Sequence, residues 1–299
     1  MGQPEQDADR RTAEDSETQF QHQPLGASAA GRSLLGRALG GYRLVAAIGS
    51  GGMGEVYKAF DPVLQKHFAV KTIKGSSMSD ELRQRFVREA RLASRIDDPH
   101  VVPILKCAEE EDVVYCVMPY VEGHDLAEHL HRRGGRLEVN EVLAISTQMS
   151  RGHAAVHRAG IVHRDVKPSN VLIDGDGRVR VIDLGLARDE RVEANLTSCG
   201  RILGTPHYMS PEQATGSEAD SRSDVYSLGL TIYYLLAGSA PYEGSSTLEI
   251  LNRQCHAPLP DLRATRPDAP PRLLALLQRL TAKAAARRPG IAEVLAELE

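Results

Sequence analysis

His163-Arg164-Asp165-Val166-Lys167-Pro168-Ser169-Asn170, followed thirteen residues after Asn170 by Asp183-Leu184-Gly185, is the stretch on which the reading of this chain turns. Chance is a poor source of such a run. Working upstream, Ala69-Val70-Lys71 lies on a strand-like segment, and Glu89 follows 18 residues later on a helical one, on the side shared with Phe86 and Ala93. A lysine in a cleft needs a counter-charge, and the pair suits a lysine held toward phosphates; an isolated Lys and Glu would be a surface ion pair of little worth. Further upstream, Gly49-Ser50-Gly51-Gly52-Met53-Gly54 fits G-x-G-x-x-G. Glu55 to Ala59 continues as a strand and no helix opens, so the dinucleotide fingerprint fails. A glycine loop between strands can still fold over a nucleotide, because backbone N–H groups without a Cβ in the way approach phosphate oxygens closely. Alone it says no more than a flexible hairpin would.

The surrounding pattern predicts an α+β fold with a strand-rich first third and a helix-rich remainder. Tyr42, Leu44, Ala46 and Ile48 alternate as a strand, Val56-Tyr57 opens a second, and His67 to Ile73 reads as a third. Residues 80–95 read as a helix with Leu82, Phe86, Ala90 and Ala93 on one side, and short strands resume at 101–118. Beyond Gly123 the spacing predicts helices at 125–132, 140–158, 223–237, 247–255, 272–281 and 290–298. The last carries Ile291, Val294, Leu295 and Leu298 at i, i+3, i+4, i+7. The first 33 or so residues, rich in Gln, Glu, Asp, Ser and Ala with Phe20 the only aromatic, bury too little to offset ordering entropy and read as a disordered tail.

Composition narrows the function classes. In 299 residues, 36 Lys and Arg face 40 Asp and Glu, and a net charge of −4 argues against bulk attraction to nucleic acid or anionic lipid. Aromatic content of 4% with no Trp offers no obvious stacking platform for single strands. The longest apolar run, Leu228 to Ala237, already contains Thr231, whereas a membrane helix needs roughly 20 residues, so no span is expected. The N-terminus lacks the basic and apolar regions of a secretory signal. Cys107, Cys116, Cys199 and Cys255 form no C-x-x-C pair, which favours reduced thiols in a reducing cytoplasm over a disulfide frame or zinc site.

With Ser210-Pro211-Glu212 completing the order, these motifs resemble the eukaryotic-like (Hanks-type) protein kinase family over about residues 40–299. Gly49 to Tyr57 and Gly204-Thr205-Pro206-His207-Tyr208-Met209-Ser210-Pro211-Glu212-Gln213 look most like its bacterial serine/threonine members. The resemblance implies a two-lobed kinase fold after a tail at 1–39, with an N-lobe at 40–118, a hinge at 119–123 and a C-lobe at 124–299. It implies transfer of the ATP γ-phosphate to Ser or Thr hydroxyls of protein substrates, including the chain's own activation loop at 186–209. Asp165 would orient the acceptor hydroxyl, Lys167 would sit by the transferring group, and Lys71 with Glu89 would hold the α- and β-phosphates. Asn170 and Asp183 would ligate Mg²⁺ or Mn²⁺, their oxygens suiting a hard cation. Gly49, Ser50, Gly51, Gly52, Met53 and Gly54 would cover the phosphates. Val56, Ala69 and Leu172 would sandwich the adenine, beside the gatekeeper Met118, the carbonyl of Pro119 and the backbone of Val121, and Asp125 would meet the ribose. For the apolar positions, plain core packing is a comparable account. Leu184 replaces the usual Phe and Ser210 the usual Ala. Glu212 should pair with Arg288, and Asp224 should accept backbone N–H groups of the catalytic loop.

Arg164 would face a phosphate on the activation loop, with Thr197 the first acceptor and Ser198 the second, while Thr205 helps bind substrate. A solvated loop residue is the plain account of Thr197, and a solvated face that of Arg83, Arg85, Arg88, Arg91 and Arg95. His153 and His157 lack an intervening Glu or third ligand and read as structural; Asp174-Gly175-Asp176-Gly177 reads as a hairpin turn. Thr18 in the tail and Cys199 in the loop are thinly supported regulatory candidates. A homodimer would serve trans-autophosphorylation. The alternative is a catalytically silent, nucleotide-binding pseudokinase scaffold, which has no chemical need for the whole polar set; a small-molecule kinase is disfavoured by the Gly204 to Gln213 platform. The end of the sequence just after the last predicted helix leaves two expectations, a soluble cytoplasmic protein or the cytoplasmic part of a longer membrane protein.

Overall fold

The computed structural model describes residues 34–51, 54–74, 80–185 and 206–299. Thr18, Gly52, Met53, Thr197, Ser198, Cys199 and Thr205 lie outside them. Residues 35–299 form one unit, and it begins with the glycine-tipped hairpin that the alternating pattern predicts. Strand β2 (Tyr42–Gly51) pairs antiparallel with β3 (Gly54–Asp61), Gly51 opposite Gly54, with irregularities between Leu44 and Ala46 and between Ala47 and Gly49. A Cβ on Gly54 would overlap the carbonyl oxygen of Thr72, so close approach of the neighbouring strand requires glycine there. With β1 (Ala38–Leu39), β4 (Lys66–Lys74), β5 (Lys106–Glu110) and β6 (Val113–Pro119), these strands make a six-stranded antiparallel sheet in the order β1-β2-β3-β4-β6-β5. Leu39, placed in the tail by the 1–39 boundary that the resemblance implied, is buried in that sheet because it pairs with Tyr42 and carries the sheet's apolar face one strand further.

Helix α1 (Asp80–Ala93) lays Phe86, Ala90 and Ala93 against the sheet as its spacing predicts. Their core continues through Ile73, Ile104, Val114 and Cys116 to Val156, Val181 and Leu184, joining sheet and helices in one apolar cluster. The second part is helical: α2 (Leu126–Arg132), α3 (Val139–Arg158), the one-turn α4 (Pro211–Ala214), α5 (Ser221–Ala237), α6 (Thr247–His256), α7 (Pro271–Leu280) and α8 (Ile291–Leu298). The predicted helices form within two residues of the expected limits. α5 is buried nearly all round, with Leu228, Leu230, Ile232 and Leu235 inaccessible, so it is the axis on which the other helices pack. A small sheet of β7 (Gly123–Asp125), β8 (Val171–Asp174) and β9 (Val179–Val181) lies under the junction, and Asp174 to Gly177 makes the expected hairpin turn. The architecture is a β-sheet lobe followed by a helical lobe.

One expectation fails outright. Cys107 and Cys116 form a disulfide, their Cα atoms 4.2 Å apart at directly opposed positions on β5 and β6. Spacing along the chain gave no sign of it, because strand pairing, not a C-x-x-C motif, brings the two thiols together. Among the described residues Cys255 is free and partly exposed.

Candidate active site

The site is organised from below by one buried carboxylate. Asp224, on the first turn of α5, accepts the backbone N–H groups of His163 and Arg164, each at 2.8 Å, and lies 2.7 Å from His157 Nε2. Burial pushes its carboxyl up, but the His157 hydrogen bond and neighbouring histidine charge outweigh this and hold it below the ordinary carboxylate range. The bracing predicted for Asp224 is therefore present, and His157, read as merely structural, is one of its partners. His153, one turn away and edge-on to the His157 ring, is pushed down to about 3 by burial and by His163. His163 accepts the Asp165 N–H at Nδ1 (3.3 Å), so its Nε2 carries the proton and donates to the Ile182 carbonyl at 2.9 Å. This one ring ties the catalytic-loop segment to the segment that ends in Asp183.

Those ties hold backbone that is costly for ordinary residues. Arg164 and Asp183 have φ of 62° and 60°, a left-handed region rarely adopted by side-chain-bearing residues and concentrated at functional sites. The Arg164 carbonyl also accepts from Gln213 Nε2 at 2.9 Å. Gly185, at φ 65°, has no room for a Cβ against the His163 carbonyl. Above this frame, Asn170 Nδ2 donates to the Asp165 carbonyl (2.8 Å) and to Asp165 Oδ2 (2.9 Å), and Lys167 Nζ lies 3.0 Å from the same carboxylate oxygen. The Asn170 carbonyl accepts the Ile182 N–H at 3.0 Å, and Asp183 meets Lys71 Nζ at 2.8 Å. Five expected residues, Lys71, Asp165, Lys167, Asn170 and Asp183, thus stand in one chain of contacts.

Glu89 is the exception. The expected Lys71–Glu89 ion pair is not formed: Lys71 meets Asp183, and Glu89 lies 3.7 Å from Arg164. The physical reason is position: α1 brings Glu89 within reach of Arg164, while Lys71 on β4 meets Asp183. On the outer face of α1, Arg83 pairs with Glu109 at 2.6 Å instead of lying wholly in solvent.

The positions expected to meet adenine are less buried than their strand neighbours. Val56, Ala69, Met118 and Leu172 are each only half-buried, while their strand neighbours Tyr57, Val70, Val117 and Ile173 are buried. The strands thus seal one face and leave the other incompletely covered. Val56 stands opposite Lys71, and Ala69 opposite Met118. Pro119 ends β6, where losing an N–H costs no ladder bond beyond the strand end, and Val121 follows it. Asp125 caps α2, accepting the Glu128 N–H at 2.8 Å through one carboxylate oxygen. Leu184, which stands where the resemblance has Phe, is buried. Behind Lys71 and Asp183 lies a cavity of about 30 Å³ that Met118, Phe86 and Cys116 help to line.

Downstream, Ser210 and Gln213 form a reciprocal capping box on α4. Glu212 takes two hydrogen bonds from Arg288, at 2.6 and 2.9 Å, as expected. Burial pushes the Glu212 carboxyl up, but bonds from Arg288 and Ser223 prevail and hold it at about 2. A further brace was not legible from any motif. Fully buried Gln254 on α6 donates to the carbonyls of Pro206 (3.2 Å) and His207 (2.7 Å). Its own carbonyl and the hydroxyls of Tyr226 and Tyr242 accept from Lys283 within 3.0 Å, and burial pushes Lys283 down to about 8.

This arrangement can place a hydroxyl beside a carboxylate and a cation, with oxygen donors and a lysine on the other side. Residues 42–298 match the protein kinase domain. The chain belongs to the protein kinase family. The kinase domain is 38% identical over 252 residues to the serine/threonine-protein kinase PrkC of Bacillus subtilis, covering 84% of this chain and 39% of that protein. It is also 38% identical over 275 residues to the DNA damage-responsive serine/threonine-protein kinase RqkA of Deinococcus radiodurans, covering 90% and 40%. The serine/threonine-protein kinase pkn2 of Myxococcus xanthus matches at 38% over 266 residues, 86% and 32%. The chain therefore spans two fifths or less of the length of these relatives. A kinase domain uses ATP, typically with a divalent cation, and acts on protein substrates. No helix among the described residues is long and apolar enough to cross a membrane.

Proposed function

We propose that this kinase domain transfers the γ-phosphate of ATP to Ser and Thr hydroxyls of proteins, its own activation loop among them. The observation that carries the reading is the series of contacts from Lys71 to Asp183, from the adjoining Ile182 N–H to the Asn170 carbonyl, and from Asn170 and Lys167 to Asp165. Asn170 and Lys167 hold the Asp165 carboxylate through Oδ2, and that carboxylate would accept the acceptor hydroxyl proton. Lys167, two residues on, favours the serine/threonine branch and would balance charge on the transferring group. The amide and carboxylate oxygens of Asn170 and Asp183 suit a hard divalent cation, Mg²⁺ or Mn²⁺, which when bound neutralises charge on the phosphoryl oxygens. Gly49 to Gly54 would cover the phosphates, with adenine between Val56, Ala69 and Leu172 against Met118, Pro119 and Val121, and the ribose near Asp125. We place the N-lobe up to residue 118, the hinge at 119–123 and the C-lobe from 124.

Arg164 would serve the switch. A phosphate on Thr197 or Ser198 competes with Glu89 for its guanidinium, and Glu89 is then released to Lys71. Thr205 would help bind substrate. Transfer between two copies in a dimer, in the cytoplasm, completes the reading.

The test is to incubate purified protein with Mg-ATP and a generic basic protein, following phosphate by intact mass and peptide mapping beside Asp165→Asn. Phosphoserine or phosphothreonine on the acceptor and on Thr197, lost in the variant, is the expected result. Silence from folded wild type, with either metal and with an acidic mimic at Thr197, would leave a nucleotide-binding scaffold instead.

A further inference from the structure

We propose that Cys107 and Cys116 form a reversible thiol–disulfide site that sets the position of α1, and so decides whether Lys71 meets Asp183 or Glu89. Cys116 lies on β6 opposite both Lys71 on β4 and Cys107 on β5, so the three residues share one rung of the sheet. Residues on one rung project to the same side of the sheet, here the side on which α1 packs. Cys116 is buried and lines the small cavity together with Lys71, Asp183 and Phe86. Cys107 is only partly buried and lines an open groove of about 380 Å³ between α1 and β5, in which Phe86 and Val87 also stand. The bond therefore has one sulfur facing the catalytic cleft and the other within reach of a small thiol. Phe86 of α1 borders both spaces, and Glu89 lies one helical turn after it on the same side.

A structural staple is the weaker account. The two cysteines are nine residues apart in a hairpin whose strands already pair from Lys106 opposite Val117 to Glu110 opposite Val113. A cross-link over so short a loop removes less entropy from the unfolded chain than one over a long loop, and here it joins strands that the ladder already holds together. Its effect falls on local packing, where Phe86 rests. The exchange balances with two equivalents of a low-molecular-weight thiol. One thiolate attacks Cys107 Sγ, the Cys116 sulfur leaves and takes a proton, and a second thiolate resolves the mixed disulfide, leaving two protein thiols and one small disulfide. Opening the bond moves the sulfurs from bonded to van der Waals separation and lets both side chains re-pack beneath Phe86. With the bond closed, Lys71 is held by Asp183 and Glu89 by Arg164. Reduction is expected to free α1 to bring Glu89 to Lys71.

The activity readout rests on the kinase reading above, so nucleotide affinity is measured beside it. The full chain is equilibrated against mixtures of reduced and oxidised glutathione, alkylated, and read by intact mass and peptide mapping, with phosphate transfer and Mg-ATP affinity measured at each poise. The expected result is two thiols released together at Cys107 and Cys116, with transfer at least threefold faster and Mg-ATP bound more tightly in the reduced form. Cys107→Ser should run at the reduced rate with no redox response, and Cys255→Ser should respond as wild type. Cys107 is the part-exposed member, so its variant remains informative where Cys116→Ser misfolds. A bond that opens only on denaturation overturns the proposal. So does equal rate and affinity in the two forms, or a response that survives Cys107→Ser and so belongs to Cys199 or Cys255. Absence of transfer in both forms would fault the kinase reading; the proposal would then stand or fall on whether Mg-ATP affinity changes with the bond.

Discussion

The two halves of the site are built in different ways. On the helical side, Asp165 stands on backbone fixed by Asp224, His163 and Gln213, with Asp224 and His163 inaccessible and every bond among them made. On the sheet side, Lys71 meets Asp183 and Glu89 meets Arg164, all four of them partly exposed charges. Buried, fully satisfied networks are high-stakes and admit one arrangement; partly solvated ion pairs are worth little each and exchange readily. The residue proposed to take the proton thus sits on rigid ground, while the residues proposed to hold phosphates stand in partly solvated pairs that a small energy change can rearrange.

The largest effect should come from breaking the rigid side. Asp224→Ala leaves the N–H groups of His163 and Arg164 and the His157 ring without their acceptor, each worth about 1–3 kcal/mol when buried and unmet. A loss of about 3–9 kcal/mol in urea unfolding is expected, with transfer abolished. Asp165→Asn removes only the proton acceptor, so transfer should fall about 10²–10⁴-fold at nearly unchanged stability. Equal destabilisation by the two variants would erase the distinction between frame and chemistry.

Next is the pair that anchors the substrate platform. Glu212→Ala leaves Arg288 buried without its carboxylate and should cost about 3 kcal/mol. Its pH dependence has a definite sign. The folded carboxyl sits at about 2 against an ordinary 4.5, so the stabilisation is complete above 4.5 and is lost as pH falls from there through 2. Urea midpoints of wild type and variant should therefore converge across that window. Midpoints that stay equally far apart down to pH 2 would assign the depressed titration to another carboxylate.

This contrast explains what the sequence shows and what it hides. Periodicity predicts α1 and the long helices because burial of Phe86 or Leu228 leaves a spacing that can be counted. The chemical residues lie in short contiguous runs such as His163 to Asn170, and their types are constrained by chemistry that no other pattern mimics. Partners across the fold leave no such trace. His157 reaches Asp224 across 67 residues, Gln254 reaches His207 across 47, and the disulfide depends on strand register. The Lys71–Glu89 expectation had a different weakness. Sequence fixes which charges are near one another, but the choice among partners depends on where α1 stands, and energies of that size are not set by residue identity.

The smallest predicted effect tests the switchable side directly. Lys71 and Asp183 are 25% and 28% exposed, so the pair observed here should contribute little to stability. A double-mutant cycle with Lys71→Met and Asp183→Asn, read by urea unfolding, should give a coupling energy below about 1 kcal/mol. Both single variants should nevertheless lose most phosphate transfer, because each removes a charge that the reaction uses. The two measurements together separate a contact that matters for folding from one that matters for chemistry. A coupling near 3 kcal/mol would instead make Lys71–Asp183 a lock comparable to Glu212–Arg288. The sheet side would then be as rigid as the helical side, and neither a phosphate on the loop nor an opened disulfide could move Lys71 at the modest energies such switches supply.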